Sequence, residues 1–290
     1  MPVFAAADDA PHLPPDASGP AWRECWSLDW HDPATGSAAA YRVRAAADGA
    51  AEVRTWTLTD GTVTGRRRTS RLDSGPHLGT LRADGLRLRT LEPLRSYAVT
   101  TDPDVGHPHA VDLTYTGATD AFRFSMSGQR ADPGGEHYES FGAVTGTIRS
   151  TTGNRPDTAA EAVKIDGQGF YRHSWGVPNP GAQLVRSVHG MFDAGLFFSV
   201  AEYRTPAGSA PLGYIFEGGE FHGVEKARFR TEPDESGLPH RCDVLLATAD
   251  RRDFRITAAL VPATSEGQQF AAFVLGKYRG SGLFERHYRG

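Results

Sequence analysis

The chain has 290 residues, of which 39% are hydrophobic and 23% charged, with a formal net charge of -4 and a pI near 6.3. That length supports one large domain or two of ordinary size, each with a real core, and the composition is that of a globular chain. The slightly acidic balance argues against a nucleic-acid partner, which calls for a basic face and a high pI.

Residues 1–20, "MPVFAAADDAPHLPPDASGP", are rich in Pro, Ala and Asp and read as a loose arm. They lack a basic stretch followed by an apolar core, so a signal peptide is not expected. No apolar run approaches the ~18 residues of a membrane helix, and the expectation is a soluble, cytoplasmic chain. Order starts at "AWRECWSLDW". From there, short alternating segments are broken by turn dipeptides: Asp48-Gly49, Asp60-Gly61, Asp84-Gly85 and Asp166-Gly167 supply the positive φ that tight hairpins need. The basic run "GRRRTSR" at 65–71 reads as a solvated loop, and "HPH" at 107–109 as a surface loop rather than a metal site.

"GLRLRT", "VDLTYTG", "AFRFSMSG" and "DFRITAALV" all alternate apolar and polar residues. Period two, repeated this often, means antiparallel sheet with one buried face. Helical pattern is nearly absent, with "TAAEAVK" at 158–164 giving a turn or two at most. The fold class is therefore all-β, as sandwiches or barrels, and two smaller closed sheets fit the length better than one. "ECWSLDW" and "YRHSWG" occupy comparable places, each opening a half, and "RPDTAAEAV" is a polar connector. These put a boundary near 160, giving an arm over 1–20 and barrels over 21–160 and 161–290.

Much chemistry is excluded. Cys25 and Cys242 stand alone, without CxxC spacing. There is no GxGxxG after a strand, no P-loop, no GxSxG elbow and no HExxH. No cofactor and no metal are expected, so side chains must do any chemistry.

Three stretches concentrate polar groups among aromatics. In "GFYRHSWG", alternation puts Tyr171, His173 and Trp175 on one face, with Arg172 and Ser174 on the other. A histidine between large rings is either a satisfied core residue or an acid–base group tuned by an apolar wall. In "GGEHYESFGAVTGTI", His137, Glu139 and Phe141 share a face. In "SVHGMFDAGLFFSVAEYR", Asp193 lies in a turn, Phe198 in an apolar strand, and Glu202 and Tyr203 close it. A carboxylate there needs a partner if buried. The next hairpin, "LGYIFEGGEFHG", adds Tyr214, Glu217 and His222.

These motifs carry a family resemblance. "HYESFGAVTGTI", "IDGQGFYRHSWGV" and the "HGMFDAG" hairpin follow the order seen in lipocalin-like proteins related to carotenoid 1,2-hydratase. They are also similar to a bacterial branch whose second half opens on Arg-Asp-His-Ser-Trp-Gly, and "WRECWSLDWHDPATG" resembles that branch's first strand and turn. The resemblance spans most of residues 20–290 and implies two consecutive lipocalin-like antiparallel β-barrels around an apolar ligand cavity. Relatives hydrate isoprenoid double bonds or fold polyenes through Diels–Alder cyclisation. His173 and Trp175 match the motif directly, whereas its Arg-Asp is replaced by Tyr171 and Arg172. If that aspartate donates the proton in hydrating relatives, it is missing here, and arginine is no acid at neutral pH.

The expected function is a cofactor-free cyclase or isomerase acting on a hydrophobic polyene, isoprenoid or polyketide-type molecule. Its candidate catalytic residues are His173, Trp175, Tyr171, Arg172 and Glu202. Substrate contacts are expected from His137, Glu139, Asp193, Tyr203, Tyr214 and Phe198. A hydratase or dehydratase, and a non-catalytic carrier of an apolar metabolite, are the alternatives.

Overall fold

A computed structural model describes residues 4–12, 19, 21–74, 79–123, 134–150, 162–192, 195–261 and 267–286. The chain divides into two compact units, the first made of 1–124 with 135–177 and the second chiefly of 178–290. Each is built from antiparallel strands, as the period-two patterning requires.

The first unit holds β1 (Arg23–Asp32), β2 (Ser37–Ala46), β3 (Ala50–Thr59), β4 (Thr62–Arg71), β5 (Asp73–Ser74), β6 (Thr80–Ala83), β7 (Leu86–Glu92), β8 (Ser96–Thr101), β9 (His109–Gly117), β10 (Phe122–Arg123), β11 (Glu136–Ser150) and β12 (Val163–Gly176). They form one nearly closed sheet in the order β4-β3-β2-β1-β12-β11-β9-β8-β7-β6-β5, with β10 alongside β11. The seam between its two ends is tied by side chains. Arg66 on β4 places Nη2 3.0 Å and 2.9 Å from the two carboxylate oxygens of Asp84, in the β6–β7 turn.

The second unit holds β13 (Gln183–Phe192), β14 (Leu196–Thr205), β15 (Gly208–Glu217), β16 (Glu220–Pro233), β17 (Pro239–Thr248), β18 (Asp253–Leu260), β19 (Gln268–Leu275) and β20 (Tyr278–Arg286). They close into an eight-stranded barrel in sequence order, with β20 returning to β13. Its interior is packed with apolar side chains such as Phe192, Phe198, Val244, Ile256, Phe273 and Phe284. Cys242 lies in that core, where burial pushes its thiol up to about 12, so it is an inert wall residue.

Three turn dipeptides behave as expected. Asp60-Gly61 and Asp84-Gly85 have both residues at positive φ, and Gly49 does too. The fourth, Asp166-Gly167, is no turn but lies inside β12, opposite Thr145 and Val144. β12 pairs with both β1 and β11, so it completes the first sheet instead of opening the second unit. The expected boundary near 160 therefore falls one strand early. The echo between "ECWSLDW" and "YRHSWG" is explained by pairing: Trp26 sits opposite His173 and Glu24 opposite Trp175.

Further expectations change. The "GRRRTSR" run is most of strand β4, with Arg67 on Glu52 and Arg66 on Asp84. His107 and His109 are buried, not on a surface loop. His107 Nε2 lies 2.8 Å from the Asp84 carbonyl and His109 Nε2 3.5 Å from Thr64 Oγ1. Residues 4–12 are not loose either: Phe4 and Asp9 are buried and Ala6–Asp9 form a 3-10 turn. The "TAAEAVK" stretch is described only at its end, where Val163 and Lys164 begin β12.

Candidate functional site

The interior of the first unit carries a polar cluster among aromatic rings. On β12 the alternation puts Tyr171, His173 and Trp175 on the inward face, as the spacing requires. β1 contributes Glu24 and Trp26 to the same face and β11 contributes Tyr138, which sits directly opposite His173.

His173 is fully buried, and its Nε2 lies 2.8 Å from Glu24 Oε1. A carboxylate only accepts, so Nε2 carries the proton and Nδ1 presents a lone pair. That Nδ1 has no hydrogen-bond partner among the described residues. Desolvation lowers the His173 pKa, and the hydrogen bond and charge of Glu24 offset this only in part. The ring is neutral, stacked on Trp26 at 5.0 Å and edge-on to Tyr138 at 5.5 Å.

The N-terminal segment completes the cluster. His12 places Nδ1 2.9 Å from the same Glu24 oxygen and donates its backbone N–H to both carboxylate oxygens at 3.1 Å. Its ring stacks on Trp175 at 4.0 Å, nearly parallel. Deeper in, Asp9 Oδ1 accepts from Tyr97 Oη at 2.9 Å and from Tyr138 Oη, while Oδ2 accepts the Leu94 N–H at 3.2 Å. Tyr171 stacks on Tyr97 at 3.8 Å. Burial first, and then neighbouring phenols and Asp9, push the Tyr138 and Tyr171 hydroxyls well above their usual range, so they remain donors. A hollow of ≈10 Å³, room for about one water, lies among Asp9, Pro11, Trp26, Leu88 and Tyr171.

His12, Glu24 and His173 are also the one group of possible metal ligands among the described residues, with ligand atoms within 4.8 Å of one another. Their 2.8–2.9 Å contacts are direct hydrogen bonds, closer than two donors sharing a zinc ion at about 2.0–2.1 Å stand in a tetrahedral site.

The other expected site residues fall elsewhere. Arg172 points to the opposite face of β12, where its Nε bonds Glu139 at 2.8 Å and its guanidinium lies 5.1 Å from the centre of the Phe170 ring. His137, half-buried, stands opposite Ser174 on that same face. Glu202 is held by Arg186 at 2.5 Å in the second unit. Tyr203 lies half-buried within β14, Tyr214 packs edge-on against Phe221 at 5.3 Å, and Phe198 is in the apolar core of the closed barrel. Asp193 lies outside the described residues.

Glu24, His12, Asp9, Tyr97 and Tyr138 were missed by sequence reasoning. Tyr138 was legible, since it alternates with His137 and Glu139 inside a quoted strand. Asp9 and His12 gave no signal, because a Pro- and Ala-rich stretch carries no period.

No helix among the described residues is long and apolar enough to cross a membrane. No curated protein matches this chain. Among solved structures, it is similar to a Nitrosomonas europaea protein described as a "putative AttH", with a TM-score of 0.67 at 14% identity over 91% of each chain. At that identity the likeness shows the fold alone, a lipocalin-like pair of barrels. A family model described as "Domain of unknown function (DUF7064)" matches residues 5–274, and the chain belongs to that family.

Proposed function

We propose that the first barrel is a cofactor-free isomerase or cyclase for a hydrophobic, unsaturated small molecule. One observation carries this reading: His173 is anchored through Nε2 to Glu24 while its buried Nδ1 has no partner. That is a neutral base, held in one tautomer and aimed into an aromatic interior. Isomerisation needs a group that takes a proton from one carbon and returns it to another, with no change in mass. The Tyr138 and Tyr97 hydroxyls supply donors for a substrate carbonyl or carboxylate, and Trp26 and Trp175 give flat surfaces for a conjugated body. Against hydration stands Arg172, which takes the place of the motif's aspartate and faces away on Glu139; that reading would need another acid.

The test is mass spectrometry of a hydrophobic metabolite pool incubated with the protein and with His173→Ala. A product of unchanged mass, absent with the variant, supports the reading. A product heavier or lighter by one water means hydration chemistry. Ligand retained by both proteins without any product means a carrier.

A further inference from the structure

Residues 4–12 fill the first barrel in the manner of a ligand. None of them joins a strand of the sheet, and the side chains of Phe4, Asp9 and His12 contact the barrel. Phe4 packs on Tyr138 at 5.1 Å and on Trp175 at 6.1 Å. His12 lies flat on Trp175. Between these rings, the buried Asp9 carboxylate receives two tyrosine hydroxyls and one backbone N–H. Burying a carboxylate is costly unless such donors converge on it. Here the donors come from β8, β11 and the β7–β8 turn, all parts of the barrel wall, and the carboxylate comes from a segment with no strand of its own. The interior is thus built to hold one carboxylate with flat apolar groups on either side. The hollow beside Asp9 measures only ≈10 Å³ with this segment in place, too small to hold a substrate.

Resting on the reading of this interior as the working site, we infer that residues 4–12 stand in for the ligand. The site takes a hydrophobic carboxylic acid whose carboxylate occupies the place of Asp9 between Tyr97 and Tyr138, and whose planar, conjugated body replaces the Phe4 and His12 rings. The bound acid lies with that body alongside His173. The segment competes with it, and the observed affinity is the intrinsic one reduced by the fraction of molecules whose seat is empty.

The experiment is a fluorescence titration of the full chain with cis-parinaric acid, a conjugated tetraene carboxylic acid, and with its methyl ester. Asp9→Ala removes the competing carboxylate and leaves the seat intact. The acid is expected to bind Asp9→Ala about tenfold more tightly than the unaltered chain, as a competitor docked about nine-tenths of the time would cost that factor, and to bind this variant more tightly than the ester, which has no carboxylate for Tyr97 and Tyr138. Adding Tyr138→Phe should remove the gain. Should Asp9→Ala fail to fold by circular dichroism, Asp9→Asn keeps the volume and should shift affinity in the same direction. Equal affinity of acid and ester for Asp9→Ala, or no gain for the acid, overturns the inference. The isomerase reading fails separately: it falls if His173→Ala leaves turnover intact, whatever cis-parinaric acid does.

Discussion

Nε2 of His173 and Oε1 of Glu24 meet at 2.8 Å on a diagonal of the β1–β12 pair, both side chains withdrawn from water. The same oxygen lies 2.9 Å from His12 Nδ1, so one carboxylate holds two imidazoles, one from a strand and one from the N-terminal segment. Glu24→Gln keeps the volume and removes the charge. Hydrogen bonds to charged groups contribute about 1.5–3 kcal/mol each, so a loss of roughly 2–4 kcal/mol is expected in urea unfolding. Amides of residues 4–12 should exchange faster in the same variant. Unchanged exchange there would mean that the segment is held without Glu24.

The histidines set an acid limit. Burial lowers the pKa of His31, His107, His109 and His173 below the ordinary 6.5, desolvation being the largest cause for each. Above pH 6.5 both folded and unfolded forms are neutral at these sites, which then add no pH dependence. Below it the unfolded chain takes up protons that the folded chain refuses, so stability falls as pH drops through the window under 6.5. Melting temperature should be level near pH 7–8 and decline toward about pH 5, before most carboxylates titrate. His109→Gln should flatten that slope. A melting temperature that rises on acidification through this window contradicts the argument.

Gly169 tests how tightly the interior is packed. A Cβ there would stand 2.5 Å from Val144 Cγ2 and 3.2 Å from the Tyr115 ring. Overpacking of this kind costs about 1–3 kcal/mol, so Gly169→Ala should destabilise by that amount. Val144→Ala in the same chain removes the clashing methyl and should recover part of the loss. Strictly additive losses in the double variant would place the strain elsewhere, in the backbone against Asp29.

The Arg66–Asp84 pair closes the seam of the first sheet with side chains only 12% and 18% exposed. Removing one partner leaves a half-buried charge, and Arg66→Met should lower stability by about 1–3 kcal/mol. High salt should change this pair's contribution less than that of an exposed one. A change below roughly 0.5 kcal/mol in chemical unfolding, the range of an ordinary surface substitution, would show that the seam holds without it.

Strand content was legible because alternation is local. Tyr171, His173 and Trp175 share an inward face for no deeper reason than the pleat. Partners are another matter. Nothing in "ECWSLDW" says that Glu24 meets a histidine 149 positions away, since register is fixed only by which strands become neighbours. The same blindness turned a cross-strand pair into an imagined repeat and placed the boundary one strand early. Asp166-Gly167 misled for a related reason. The glycine is there for closeness, since a Cβ would lie 2.4 Å from the His31 carbonyl, and the dipeptide makes no turn. Asp9 and His12 were hidden because their order comes wholly from the barrel they fill.

The two sheets differ in one respect that reaches beyond a single molecule. The eight-stranded barrel is closed and offers no strand edge, whereas the first sheet ends on β4 and β5. Unpaired edges invite a second chain to add a strand and begin an aggregate. β4 meets that hazard with its own side chains: Arg66, Arg67, Arg68 and Arg71 fall within ten residues, and two copies brought edge to edge would set these like charges against each other. The basic run that reads as a solvated loop in the sequence is a charged edge strand, a feature that disfavours edge-to-edge pairing.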